Sequence, residues 1–259
     1  MQHSNAYIIG FTAFLTVVLA MLLAGAKISL SEPQRIAREL DTKKQILGAV
    51  RELGKEDDVM ALYANHIESL VVDINGDAVK QDKDGNPIEP EKVNIRKEYK
   101  KSNKAERYYP IFKYKEGEQV VAYILPVYGK GLWDDIWGFV AMDPTYEKVL
   151  GAKFDHASET PGLGARITAP EIQARYVGKK IRNEKGEIVG VEMLKGENLA
   201  PSKISDYQVD GMSGATITAR GVNDMLKFYL QDYNNYFEKK GNTDDAMSSL
   251  FSPKTETAP

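Results

Sequence analysis

The sequence predicts an α+β protein: one N-terminal transmembrane helix followed by a domain of mixed strands and helices. Three observations carry this. Residues 7–26 contain no charge, and roughly 20 apolar residues are what a helix needs to cross the hydrocarbon core. Beyond them, short alternating apolar segments are separated by Asn-Gly, Asp-Gly and Glu-Gly turns, the pattern of antiparallel strands. Helical patterns occur among the strands without a βαβ rhythm, which sets the class as α+β rather than α/β.

Residues 1–27 form the expected anchor. Ala24-Gly25-Ala26 resembles a signal-peptidase site, but no Lys or Arg precedes the run and its length exceeds an ordinary h-region, so a retained helix is expected. Residues 28–66 read as a helical stalk. Ser31 is the expected cap of a new helix with Pro33 in its first turn; Ile36, Leu40, Leu47, Val50 and Leu53 mark its apolar face, and Gly54 ends it. A short helix over 57–64 follows.

Residues 67–241 form the main domain. A strand is expected over 67–74, ended by Asn75-Gly76, with a further turn at Asp84-Gly85-Asn86-Pro87. The highly charged segment 92–107 reads as a solvated helix or loop. Residues 108–114 and 120–128 alternate about Glu116-Gly117 as a hairpin. Strands follow at 137–142, 149–156 and 188–194, the last after the turn at 183–186. Thr168-x-x-Glu171 has the form of a capping box for a helix through Arg175. The last helix is expected over 221–240, with Val222, Met225, Leu226, Tyr229, Tyr233 and Phe237 at helical spacing. The polar tail, 242–259, is expected to be disordered. No internal repeat is visible.

Composition excludes several functions. The chain has 259 residues, a net charge of −3 and no cysteine. Disulfides, thiolate metal sites and iron–sulfur ligation are absent, so any redox chemistry needs a bound cofactor. Three histidines, one near the N-terminus, make a histidine metal site unexpected. Asp73-x-Asn75-x-Asp77 lacks both the glycine and the final glutamate of a calcium loop, Ala78 and Asp84 standing there instead. Ser213 with His156 lacks the Gly-x-Ser-x-Gly elbow of a hydrolase. Charge and aromatic spacing do not suggest nucleic acid.

The chemistry concentrates in Asp210-Gly211-Met212-Ser213-Gly214-Ala215-Thr216-Ile217-Thr218. Small residues and hydroxyls stand immediately before the last helix. One reading is ordinary N-capping; the other is an anion held at a helix start beside a nucleophilic hydroxyl. No Gly-Lys-Ser/Thr follows the glycines, which excludes a Walker loop. Asp-x-x-Ser-Gly-Ala-Thr resembles the flavinylation motif of the C subunits of Na+-translocating NADH:quinone oxidoreductases and the related G subunits of Rnf complexes. In those families a transferase joins FMN to threonine through a phosphoester. The resemblance implies that Thr216 is the acceptor and that Asp210, Ser213, Gly214 and Ala215 are recognition positions. A single N-terminal anchor with a motif near the C-terminus is the same layout, and the likeness spans essentially the whole chain.

Two further stretches strengthen the resemblance. Gly131-Leu132-Trp133 is similar to a Gly-Leu-Trp element of the family's FMN-binding domain, which implies contact between these residues and the flavin. His156-Ala157-Ser158-Glu159-Thr160-Pro161-Gly162-Leu163-Gly164 matches a second family segment. Pro161-Gly162 forces a turn, leaving Glu159 and Thr160 for a polar ring edge and Leu163 for a ring face, with Gly162 and Gly164 beside them. His156 itself reads as structural.

The resemblance implies an electron-transfer subunit that carries covalent FMN and is not catalytic alone. Its expected partners are the other subunits of a membrane NADH:quinone reductase, the flavin transferase and the membrane, and its expected location is the bacterial inner membrane. The G subunit of an Rnf electron-transport complex is the alternative of the same class, and a membrane-tethered binding or assembly module without covalent flavin is the alternative from another class. Lys27, Arg35, Arg38, Lys43 and Lys44 follow the span and no basic side chain beyond His3 precedes it. The positive-inside rule alone places the domain in the cytoplasm; the resemblance implies the periplasmic side.

Overall fold

The computed structural model describes residues 4–251, with backbone only for 242–251. The chain divides into two compact units after Lys44. The first is most of helix α1, Asn5–Gly48, whose N-terminal part is apolar and uncovered, with mean hydropathy sufficient to cross a membrane. The expected break at Ser31-Glu32-Pro33 is not there. The Ser31 hydroxyl donates back to the Ile28 carbonyl at 2.7 Å rather than capping a new helix, and Pro33 stands inside α1. The helix also ends earlier than Gly54, so Val50 and Leu53 lie beyond it.

The second unit begins with the end of α1. A short helix, α2 (Val59–His66), is capped by Asp58, whose carboxylate accepts from the Met60 and Ala61 amides. Its last residue leads directly into strand β1 (Ile67–Val72). This strand stops two residues short of expectation because the Asp73 carboxylate accepts from the Asn75 and Asp77 amides. That local turn competes with ladder pairing; Gly76 completes it at φ +81°.

The segment expected to be solvated is only partly so. It contains helix α3 (Ile95–Lys100), and it buries Glu98 and Arg107. The Arg107 guanidinium donates through Nε and Nη2 to the carbonyls of Tyr99 and Lys101, while its buried Nη1 has no partner among the described residues.

Strands β2 (Tyr109–Glu116), β3 (Gln119–Lys130), β4 (Asp135–Met142) and β5 (Val149–His156) then join β1 in one antiparallel sheet, in chain order. Both faces are buried. Tyr109, Ile111, Tyr123, Leu125 and Val127 belong to the main core, while Phe112, Ile124 and Ala141, in register across three strands, are buried outside it.

The C-terminal helix α5 (Thr216–Phe251) covers the first face along β3. It presents Val222, Met225, Leu226, Tyr229, Tyr233 and Phe237 to the core, as its spacing predicts. Its hydroxyls are placed where prolines interrupt the ladder: Tyr233 lies 3.0 and 3.1 Å from the Pro110 and Pro126 carbonyls. Buried Asp232 accepts from Tyr109 and pairs with Lys104, both at 2.8 Å. The helix starts five residues before the expected Gly221. It continues through residues 242–251, where the polar tail was expected; residues 252–259 lie outside the described residues.

Between β5 and α5 the chain makes a short helix, α4 (Pro170–Gln173), and two short parallel strands, β6 (Glu192–Met193) and β7 (Gln208–Val209). The capping box does not form. Ala169 holds the cap position without a side-chain bond, and the Thr168 hydroxyl donates to the Ala165 carbonyl instead. The strand expected over 188–194 is reduced to β6 because Gly190 turns the chain at φ +75°.

Candidate functional site

Strand β3 and the first turns of α5 approach each other closely. A Cβ at Gly221 would collide with the Lys130 carbonyl, and one at Gly129 would press on Met225. Glycine is required where backbones meet in this way. The contact delivers Gly131-Leu132-Trp133, in the turn after β3, to the beginning of α5. The loop after β5 reaches the same place, since β4 carries the chain back alongside β3.

Glu159 joins the three segments. Its side chain is in a residue only 4% exposed. One carboxylate oxygen accepts from the Trp133 amide at 2.9 Å, and the other accepts from the Thr218 hydroxyl at 2.6 Å. A Cβ at Gly131 or at Gly164 would strike this carboxylate. Glu159 is therefore engaged by protein at both oxygens, which differs from the expectation of a carboxylate left open for a ring edge. The Glu159 amide donates to His156 Nδ1 at 3.2 Å, which gives His156 the structural part expected of it.

Thr160 is engaged as well: its hydroxyl accepts from the Trp133 indole at 3.1 Å. Trp133 is held by two hydrogen bonds yet is 69% exposed. Leu132, Leu163 and Ile217 are also exposed. The Leu163 side chain lies against Gly214, where a Cβ would be 2.7 Å from it. Gly162 turns the loop at φ +75° in open space. All three sequence segments thus meet at the N-terminal end of α5 and leave an apolar rim uncovered.

The stretch before α5 is braced from its other side. The Asp210 carboxylate accepts from the Asn198 and Leu199 amides at 2.8 and 3.1 Å. Gly211 lies where a Cβ would meet the Leu194 and Gly196 carbonyls. Arg175 donates to the Asp210 and Gly211 carbonyls. Glu197 accepts from the Ser213 amide at 3.0 Å, forms a two-pronged pair with Arg166 at 2.5 and 3.0 Å, and accepts from Arg175. The Arg166 guanidinium, followed by the Ser213 amide, holds the Glu197 carboxyl down at about 2. Sequence reading missed Arg166, Arg175 and Glu197: no local pattern marks them, and Glu197 meets the two arginines across 31 and 22 positions.

The two threonines at the helix start differ sharply. Thr218 is 1% exposed and its hydroxyl is committed to Glu159. Thr216 is half-buried and borders a cleft of about 620 Å³, and its hydroxyl makes no hydrogen bond among the described residues. Ala215 is buried beneath it, and Ser213 and Gly214, the latter at φ +73°, are exposed beside it. A free hydroxyl, small neighbours and open space together suit attachment of a bulky group; the Thr218 hydroxyl is neither free nor open to solvent. No cluster of His, Cys, Asp or Glu able to hold a metal occurs among the described residues.

Residues 131–231, which include all three segments, match the family of FMN-binding domains. Over 233 residues the chain is 34% identical to the C subunit of the Na(+)-translocating NADH-quinone reductase of Pasteurella multocida, covering 83% of this chain and 86% of that one. The chain belongs to this family of C subunits. The family's protein from Haemophilus ducreyi is likewise 34% identical, with the same two coverages. A crystal structure of the corresponding protein from Parabacteroides distasonis superposes with a TM-score of 0.67 at 31% identity, over 80% of this chain and 96% of that one. The likeness to the family extends well beyond the FMN-binding segment to most of the chain, as the sequence motifs imply.

Proposed function

We propose that this chain is the FMN-carrying subunit of a Na+-translocating NADH:quinone reductase and that Thr216 bears the flavin through a phosphoester. Membership of the C-subunit family and the matched FMN-binding domain support the first part. The free Thr216 hydroxyl at the cleft, beside the engaged Thr218 hydroxyl, is the observation that carries the second. Bound there, the flavin supplies the redox chemistry. The protein supplies position. Trp133 and Leu163 provide apolar wall, Glu159 and Thr160 hold that wall in place, and Gly131, Gly162 and Gly164 allow the three backbones to converge. Asp210, Ser213, Gly214 and Ala215 shape the turn that a flavin transferase reads.

The chain works within a complex and not alone: its partners are the other subunits and, during maturation, the transferase. Helix α1 anchors it in the bacterial inner membrane, with the domain on the periplasmic side. Protease added outside sealed spheroplasts should digest the domain; full protection would reverse that orientation. The attachment is tested by coexpressing the chain with a flavin transferase and mapping peptides by mass spectrometry. An FMN increment on the peptide containing Thr216, lost in Thr216→Ala, is expected. An unmodified peptide, or an increment retained in the alanine variant, overturns the assignment.

A further inference from the structure

The cleft beside Thr216 carries a second feature that the family motifs do not include. Its walls are the first turns of α5 on one side and the segment around β6 on the other. Asn223 fixes these walls together. Its side-chain amide accepts from the Met193 amide at 2.7 Å and donates to the Met193 carbonyl at 3.0 Å. Lys195, two residues beyond Met193, therefore stands across the cleft from the helix.

On α5 the lining residues include Thr216, Arg220 and Lys227. Thr216 and Arg220 are four residues apart and so share a helix face. Long side chains on a helix lean toward its N-terminus, so Arg220 is within reach of the phosphate a Thr216 ester would place in the cleft that both residues line. Neither Arg220 nor Lys195 makes a hydrogen bond or ion pair among the described residues. Two carboxylates also line the cleft. Glu192 is taken up by the Gln208 amide at 2.8 Å, and Asp224 lies one turn past Arg220 without pairing with it. Arg220 and Lys195 are thus available, and they face space large enough for a ligand of the usual small-molecule size.

We propose that Arg220 and Lys195 hold the phosphodiester that joins FMN to Thr216. This rests on the reading of Thr216 as the attachment site. A phosphodiester carries one negative charge, and a guanidinium can meet two of its oxygens at once. Arg220 grips the phosphate from the helix and Lys195 from the facing wall. The cofactor is then fixed at two points: at its phosphate by these cations, and at its ring by the apolar rim of Trp133 and Leu163. Held at both ends, the ring loses the swing that a single covalent bond would leave it.

The test uses the full chain, loaded by coexpression with a flavin transferase, and reads ³¹P NMR of the attached phosphodiester. Mass spectrometry of the wild-type peptide comes first. Absence of FMN on Thr216 removes both the attachment reading and this proposal. With FMN present, the folded wild type should give a ³¹P resonance distinct from that of the denatured, still loaded chain. Arg220→Gln should move the resonance toward the denatured position, Lys195→Gln should move it in the same direction, and Arg220→Lys should restore most of the wild-type position. The signal comes only from loaded molecules, so a lower yield of attachment does not obscure it. Should Arg220→Gln fail to fold, Lys195→Gln gives the same reading. Wild-type resonances in folded, loaded Arg220→Gln and Lys195→Gln would leave Thr216 as the carrier and overturn the proposed grip.

Discussion

Glu159 and Thr218 share a buried 2.6 Å hydrogen bond across 59 positions of sequence. It ties the loop after β5 to the first turn of α5, two residues from Thr216. Thr218→Val keeps the shape and removes the hydroxyl, leaving one oxygen of a buried carboxylate without its donor. A loss of about 1–3 kcal/mol is expected, measured by denaturant unfolding of the detergent-solubilised chain. FMN should still map to Thr216. A variant as stable as the wild type would show that this bond does not brace the site.

Glu197 makes the turn before Thr216 sensitive to acid. Its carboxyl is lowered from 4.5 to about 2 by Arg166 and the Ser213 amide. A folded-state value below the unfolded one gives stability that is complete above pH 4.5 and is lost as pH falls from there through about 2. Glu197→Gln should therefore be less stable than the wild type at pH 6, and the difference should shrink steadily below pH 4.5. Unfolding midpoints of both proteins between pH 6 and 2.5 provide the comparison. A difference independent of pH would contradict the charge-based account.

Two glycines should respond differently to the same substitution. Gly221→Ala drives a methyl into the backbone of β3 at Lys130, and a strand within a sheet cannot yield cheaply. The expected cost is about 3 kcal/mol. Gly162→Ala meets nothing within 4 Å and is penalised only for its φ of +75°, about 1 kcal/mol. Equal unfolding free energies for the two variants would mean that the helix and strand are less closely seated than described.

Trp133 is fastened yet exposed, so its loss should touch the cofactor more than the fold. Trp133→Ala should change stability by less than about 1 kcal/mol, while the fluorescence of covalently bound flavin rises. Leu163→Ala should act in the same direction. Unchanged fluorescence in both loaded variants would take these side chains away from the ring.

The sheet was legible because its signals are local. The hairpin about Glu116-Gly117 needs only alternation and one turn, and Gly117 takes the positive φ that its place demands. The three site segments were legible through family likeness, and their convergence follows from β4 returning beside β3. Other features were hidden for physical reasons. Ser31-Glu32-Pro33 carries a helix-start signal, but the flanking residues are helical on both sides and α1 runs through it. Thr168 satisfies the capping-box pattern, yet its hydroxyl has a nearer acceptor in Ala165. The Glu197 network depends on pairing between distant loops, which no window of sequence reveals. Thr216 and Thr218 have the same hydroxyl chemistry in sequence; burial and the Glu159 carboxylate distinguish them.

The order of the strands bears on when the protein can be matured. β1 to β5 stand side by side in the order in which they leave the ribosome, so each can pair with its predecessor while synthesis continues. The helix that begins at Thr216 follows all five of them in the sequence. Until it has emerged, Glu159 has no Thr218 to bind and β3 has no Gly221 to receive. The turn before Thr216 is therefore completed only after the sheet it rests on has been made, and the covering helix sets the order of assembly as well as lidding the core.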